Sequence, residues 1–429
     1  MKSCQACILL ITLLLGVTSV VESAGVEKSV VESSMDSGAP PKAGHYLGGS
    51  WYYGLRFAAE IDSRSDYDLD AASADKLTVV TPFNPSLAFA WRDSDDLLAY
   101  TVFELNKPYA VTDEVGEYNQ DFELQLDKAF LSYHHKPWSF TVGRQRFKTP
   151  REWMFDDTVD GVKARFSGAG YALTGAFFRE RAFTEDLLQT DRNKRVDHFW
   201  FQLALPDRDD REINAFILRQ TDHDRDAQTD WVGAIVEGEW GELDYWAQMA
   251  MSRTRDSGVQ SGGIGYDAGV VYRVLKQPRI YMFGSIAFGQ GDPDDVDQGF
   301  RQTDLQDNAA KLGGVTRVRY YGEVFDPELS NLLVVTAGVG MRPSRDSSLT
   351  LLWHNYRQHY PLDEFRETDL NRDPEGVSTD LGSELDLVLG YRIKGKLRLE
   401  AVWGVFLPGD AFDRRDPAAR ININVRYSH

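Results

Sequence analysis

Cysteine is nearly absent. The chain's two cysteines, Cys4 and Cys7, lie at its extreme N-terminus, which excludes disulfides and cysteine-based metal sites from the body of the protein. Long apolar runs are missing too. Mean hydropathy is −0.40, and past residue 21 no run reaches the ~18 apolar residues of a membrane helix. Strands that cross a bilayer are not excluded, because their polar half hides them from a hydropathy average. Basic residues are in deficit: 47 Lys and Arg against 66 Asp and Glu, a net charge of −19. That balance does not suit neutralising phosphates, so no nucleic-acid partner is expected. With 42% hydrophobic and 12% aromatic residues, the composition does not suit a disordered chain either. No phosphate-binding Gly-rich loop with its Lys occurs, and no Gly-x-Ser-x-Gly elbow. No energy source, catalytic residue, cofactor or metal is therefore expected.

The N-terminus reads as a targeting segment. Lys2 supplies a positive start, Ile8 to Val21 an apolar stretch of secretory length, and Glu22-Ser23-Ala24 small residues for cleavage. Residues 1–24 are expected to leave as a signal peptide, taking both cysteines. Residues 25–45, with Pro40-Pro41, read as a flexible leader.

From residue 46 to 429 the pattern is β. Apolar and polar residues alternate with period two, as in strands with two different faces. Trp51, Tyr53, Leu55, Phe57 and Ala59 oppose Gly54, Arg56, Ala58 and Glu60. Leu397, Leu399, Ala401, Trp403 and Val405 oppose Arg398, Glu400, Val402 and Gly404. Short links and longer loops alternate along the chain, eight of one and nine of the other. Eighteen strands follow (sixteen to twenty fit), with Lys311–Tyr321 placed in a loop. An even, antiparallel set with short turns at one end and long loops at the other predicts an all-β barrel in the bacterial outer membrane, in contact with its lipid. Trp51, Trp138, Trp231, Tyr391 and Tyr427 sit near strand ends, where interfacial girdles belong.

If the apolar faces meet lipid, the polar faces line a lumen. A ring of eighteen strands is too wide for side chains alone to fill. This phase places Arg56, Lys163, Arg165, Arg273, Arg398, Arg420 and Arg426 inside. It also places Glu60, Glu237, Glu239, Asp244, Asp267, Glu384, Asp386 and Glu400 inside. The lumen is mixed in charge, and its groups either pair along the wall or meet a passing anion. Arg144 and Arg146 break the pattern, since strict alternation from Trp138, Phe140 and Val142 points them at lipid. Either the strand bulges near Gly143 and turns both into the pore mouth, or they form bidentate pairs with Asp156, Asp157 or Asp160. His198, His223, His354 and His359 lie nearest polar clusters but show no catalytic pattern. Asp292-Pro-Asp-Asp295 lacks a calcium-loop signature and reads as a solvated acidic loop.

Gly143-Arg-Gln-Arg-Phe147, then Arg151-Glu-Trp153 and Asp156-Asp-Thr-Val-Asp-Gly-Val162, resembles the signature of the alginate-export porin family. So does Tyr320-Tyr-Gly-Glu-Val-Phe-Asp-Pro-Glu-Leu-Ser-Asn331 leading into Leu332–Met341. The resemblance implies an eighteen-stranded outer-membrane barrel passing an anionic polysaccharide, alginate or a relative, through a lumen of arginines and lysines. It implies periplasmic polymer-synthesis and export partners that deliver the polymer. It also implies a long periplasmic turn that plugs the lumen, whereas every short-end link in this sequence is brief. An uptake porin and an outer-membrane enzyme are the rival readings.

Overall fold

The computed structural model describes residues 45–429 apart from 74–75, 95, 113–115, 120–121, 184–185, 189–194, 207–210, 277, 395 and 429. The expected signal peptide and leader lie outside the described residues, apart from His45. The eighteen barrel strands are β1 (Trp51–Ser65), β2 (Lys76–Arg92), β3 (Leu97–Asn106), β4 (Glu123–His135), β5 (Trp138–Lys148) and β6 (Asp156–Ser167), then β7 (Ala172–Arg179), β8 (Val196–Pro206), β9 (Arg211–Asp222), β10 (Ala227–Trp240), β11 (Leu243–Asp256) and β12 (Val259–Lys276), then β13 (Arg279–Gly289), β14 (Leu332–Ser344), β15 (Ser347–Gln358), β16 (Asp380–Ile393), β17 (Leu397–Pro408) and β18 (Ala418–Ser428). Each pairs antiparallel with its sequence neighbours. β18 closes on β1, from Arg56 opposite Ser428 to Ser65 opposite Ala419. Closure removes the sheet edges, whose unpaired amides and carbonyls oil would not tolerate. The expected eighteen-stranded barrel is the observed one, and Lys311–Tyr321 is in a loop.

Every short-end connection spans four residues or fewer. At the other end seven connections are long, while 223–226 and 257–258 are tight turns where the alternation suggested longer loops. The strands beside them simply continue as ladders. Asp222 Oδ1 accepts from the amides of Asp224 (2.9 Å) and Arg225 (3.1 Å), so the Asp-rich tip closes a hairpin. Asp and Arg in a sequence therefore do not mark the end of a strand that protrudes beyond the bilayer into water.

The outer wall is sorted as the pattern predicts. Val142, Val162, Phe177 and Phe199 face each other in one register row across β5, β6, β7 and β8, all exposed. Trp51, Trp138 and Tyr391 lie exposed near the short-turn end, as a girdle requires. Trp231 does not belong to that girdle. It faces inward, 1% exposed, and its indole N–H donates to Arg301 O at 2.8 Å.

The inner wall departs from the sequence picture over half its circumference. Phe178, Trp200, Phe216, Trp231, Trp246, Tyr281, Phe283, Leu352, Tyr356 and Phe406 point inward and form one apolar cluster with loop residues. Apolar-out, polar-in is thus only half true here, because a loop that is itself apolar fills this side of the lumen. Phe201 on β8 is exposed on the lipid side. Phe201→Arg should lower stability in urea unfolding from lipid vesicles by about 2–4 kcal/mol, and Phe201→Ala by much less.

Candidate functional site

Residues 290–331, between β13 and β14, thread the barrel from the long-loop end almost to the short turns. At the tip, Gly313 packs on Tyr281 and Gly314 on Ser348. The Val315 amide donates to Ser348 Oγ at 3.0 Å, the Arg392 guanidinium to Val315 O, and the Thr316 hydroxyl to Glu400. Tyr281, Ser348, Arg392 and Glu400 all lie within four residues of a short turn. The expected long periplasmic turn is not present among the eight short-end connections; the lumen is occupied from the opposite end. The reason is legible in the loop. Val318, Tyr320, Tyr321, Val324, Phe325 and Leu329 give it an apolar face that only the inward aromatics can cover.

Glu384 of β16 fixes this plug. Its carboxylate accepts three consecutive backbone N–H groups, from Glu323 (2.6 Å), Val324 (2.7 Å) and Phe325 (3.0 Å), and the Tyr356 hydroxyl at 3.1 Å. Gly322 makes the approach possible. It has φ +115°, and a Cβ there would fall 2.3 Å from Tyr356 Oη. Asp267 of β12 accepts from the Trp246 indole (2.5 Å) and the Tyr321 hydroxyl (2.9 Å). Arg420 of β18 donates to Glu323 O at 2.9 Å and holds Asp62 through Nε and Nη2. Asp386 lies 3.2 Å from His354 Nε2, with both side chains fully buried. So Asp267, Glu384, Asp386 and Arg420 do face inward, but they are sealed under the plug instead of lining water.

A second loop, 149–155, docks on the first. Arg151, at φ +56°, lays its guanidinium 3.7 Å from the Trp246 ring centroid and 4.6 Å from that of Tyr320. Trp153 Nε1 donates to Tyr321 Oη at 3.1 Å. Arg146, Lys148 and Arg317 neutralise Glu152, Asp156 and Asp307, a group of three carboxylates that needs no metal for its charge. Arg146 is therefore at the mouth, paired with Asp156. Arg151 was not anticipated from the sequence: a lone Arg in a loop gives no sign of an aromatic sandwich.

Arg144 and Asp160 do not reach the pore. Their register row continues as Arg144, Asp160, Arg179 and Asp197 across β5 to β8, two residues above the lipid-facing row. They bond bidentately at 3.0 Å, and loop residue Phe183 covers them, its amide on Asp160 and its carbonyl on Arg144. Strict alternation held, and the bidentate pair satisfies the outward charges. Gly143 (φ +118°) introduces no register shift.

The part-exposed inner side chains lie along an arc from β16 through β18 and β1 to β6, interrupted on β2 and β3 by a buried apolar cluster of Ala88, Ala90, Leu98, Tyr100 and Val102. Arg56 donates to Ser86 Oγ (3.2 Å) and Glu104 (3.0 Å), and Asn84 to Glu104 at 2.8 Å. Asn422 donates to Glu60 at 2.7 Å. Arg426 donates to Asn424 Oδ1 at 2.9 Å and lies 3.4 Å from Glu400. Arg392, Arg398 and Arg426 pair across three adjacent strands. Lys163 stands over the Phe147 ring at 5.3 Å. Arg165, opposite Thr174, is exposed near the short turn. Arg273 marks the far side of the short-turn rim, reaching Asp244 (2.7 Å), Glu239 (3.2 Å) and Glu242 (3.8 Å). Glu104, Arg342 and Arg392 also belong to the inner wall. Carrying the alternation one residue beyond Met341 finds Arg342. The histidines are otherwise engaged: His198 with Glu180 at 2.9 Å under the Phe178 ring, His354 with Thr336 at 2.9 Å.

A closed eighteen-stranded wall, lipid-facing outside and polar along one inner arc, defines an outer-membrane β-barrel of the porin type. The fold matches solved porins: OpdQ of Pseudomonas aeruginosa (TM-score 0.57, 8% identity, 89% of this chain and 99% of that one) and OccAB4 of Acinetobacter baumannii (TM-score 0.56, 9% identity, 89% and 99%). Within that class the chain belongs to the alginate export family, whose model matches residues 53–426. It is similar to the alginate production protein AlgE of Pseudomonas aeruginosa, 26% identical over 223 residues, covering 43% of this chain and 45% of that protein. It is also similar to AlgE of Azotobacter vinelandii, 31% identical over 129 residues, covering 27% and 25%. The matched part of the chain spans less than half the length of either relative.

Removing the Glu384 carboxylate strips three amides of a charged acceptor, about 1.5–3 kcal/mol for each such bond. Glu384→Ala should raise single-channel conductance in planar bilayers and add flickering substates. The plug should also respond to pH. Burial pushes Asp326 from its ordinary 3.8 up to about 7, against the pull of the neighbouring Arg319. A proton held more tightly when docked stabilises docking fully below about pH 4, and the contribution is lost as pH rises through about 7. Conductance should accordingly climb over that window, and Asp326→Asn should flatten the climb.

Proposed function

We propose that the chain is a passive outer-membrane pore for alginate or a closely related polyuronate, which moves along the polar arc beside the plug. The observation that carries this reading is the inner row Arg392, Arg398 and Arg426, continued by Arg56, Lys163 and Arg165. Guanidinium groups bind carboxylates in two-point geometry, and low-dielectric walls concentrate their field. Glu104 and Glu400 hold Arg56 and Arg426 in place without cancelling the row. Membership of the alginate export family supports the choice of cargo. Polymer-synthesis and export proteins in the periplasm would supply the polymer and the driving force, since the chain encodes no energy-coupling motif. The reading assigns no catalysis: His198 and His354 are buried in wall contacts. In planar bilayers the protein should prefer anions and be blocked by uronate oligomers. Arg56→Ala or Arg398→Ala should weaken both effects several-fold, while changing His198 and His354 together should preserve selectivity. Cation preference, indifferent to the arginines, would contradict the proposal.

A further inference from the structure

The wall parts between β4 and β7 toward the long-loop end. The β4–β5 ladder stops at Ala129 opposite Arg144, and the β6–β7 ladder stops at Asp160 opposite Arg179. The β5–β6 ladder runs four pairs further, to Lys148 opposite Asp156. Among the described residues, the end of this hairpin therefore has no ladder partner in the wall on either side. It leaves the wall where two glycines face each other, Gly143 and Gly161. A Cβ on Gly143, at φ +118°, would lie 2.2 Å from Ala129 O. Beyond them the hairpin leans inward on the plug. Phe155 bridges Leu305, the Asp156 amide donates to Leu305 O at 2.7 Å, and Phe147 and Phe155 pack on the inward Phe178. Three strand spacings separate β4 from β7, about 14 Å.

A strap crosses this gap. Its described residues, Glu180 to Phe183 and Asp186 to Leu188, lead from the end of β7 to the bare edge of β4. The Leu187 amide donates to Leu124 O at 2.9 Å, and the Leu124 amide to Asp186 Oδ1 at 3.2 Å. Arg144 ties three pieces together: it donates to Leu126 O on β4 (3.1 Å), to Asp160 on β6 and to Phe183 O on the strap (2.8 Å). Phe183, Leu187 and Leu188 are all exposed. Polar bonds hold the strap, with little apolar burial beneath it, and segments held that way open at low free-energy cost. The rest of the long-loop end is roofed. The Asn371 amide donates to Tyr67 O (2.9 Å), Asp416 to Leu69 O (3.1 Å) and Asp369 to Phe325 O (3.1 Å), over buried Leu69, Leu370 and Phe412. These contacts join the β1–β2, β15–β16 and β17–β18 loops to each other and to the plug.

We propose that the channel opens outward through this side window between β4 and β7, and that a polyuronate leaves there when the Arg144 latch lets the strap lift. This rests on the polyuronate reading above. The window lies at and beyond the charged row Arg144, Asp160, Arg179 and Asp197, which closes the apolar band of the outer wall. Whatever passes there meets headgroups and water, not hydrocarbon, so the window suits a hydrophilic polymer and not a lipid. On the inside, Lys163 stands on β6 three residues from Asp160. It carries the basic inner row to the foot of the window, whereas the roof closes the way above β15 to β18 and β1.

The test uses the whole barrel in liposomes loaded with defined uronate oligomers. No described residue is a cysteine, and Gln125 and Asp186 are antiparallel bridge partners, close enough for a disulfide. Oxidising Gln125→Cys with Asp186→Cys should slow oligomer efflux about tenfold, and a reductant should restore it. A control pair across an unbroken ladder, Ala215→Cys with Ala234→Cys, should leave efflux unchanged on oxidation. Equal slowing by the control would overturn the window as the place of exit. Efflux indifferent to the strap disulfide would overturn the window and leave the polyuronate reading standing, because oligomers still pass. No efflux from the unmodified protein would overturn both. Photo-crosslinking reads the route: a benzophenone side chain at Leu126 should capture oligomers, and one at Asp369 in the roof should not. The reverse pattern would put the exit at the top and overturn the proposal. Arg144→Gln should speed efflux several-fold, and unchanged or slower efflux would contradict the latch.

Discussion

The barrel's interior is organised around one carboxylate. Glu384 receives three successive backbone amides of the plug, and almost everything else inside follows from where that contact sets residues 323–325. It brings Phe325 against Tyr356 and Phe406, Tyr321 onto Asp267, and Arg420 onto the plug backbone. A backbone held this way needs no side-chain complementarity at its tip, only room, which Gly322 provides. The plug then covers the inward aromatics of β7 to β17, a surface that water in an unplugged lumen would leave exposed at roughly 25 cal/mol per Å². The polar arc of β16 to β18 and β1 to β6 is what the plug leaves uncovered.

Most of the wall was legible in the sequence because a strand's period is two and a bilayer enforces it strictly. The strand count, the sidedness of turns and loops, and the inward phase of Arg56, Glu60, Lys163, Arg398 and Arg426 all came from that rule. The interior was less legible, for a physical reason. Alternation tells which side chains share a face, but not whether water or a distant loop meets that face. Trp231 and Trp246 face inward because residues some seventy positions away come to cover them. Asp267 and Glu384 look like lumen charges in sequence and are anchors in the fold.

Arg144 shows the same ambiguity from outside. Alternation aimed it at lipid, and the conflict was real. The resolution lies in a row of alternating charges that closes the apolar band on that side, a feature readable only once four strands are set in register. Opposite signs in that row show how ladder partners settle charges that alternation alone leaves at the lipid boundary.

The central claim is that water follows one inner arc while a packed plug occupies the remainder. Cysteine accessibility in the reconstituted barrel tests it most directly. Cysteines introduced at Glu60, Arg398 and Arg426 should react rapidly with a charged, membrane-impermeant thiol reagent, and those at Asp267, Thr336 and Leu352 should not. Rapid reaction of the second group, or protection of the first, would contradict the account.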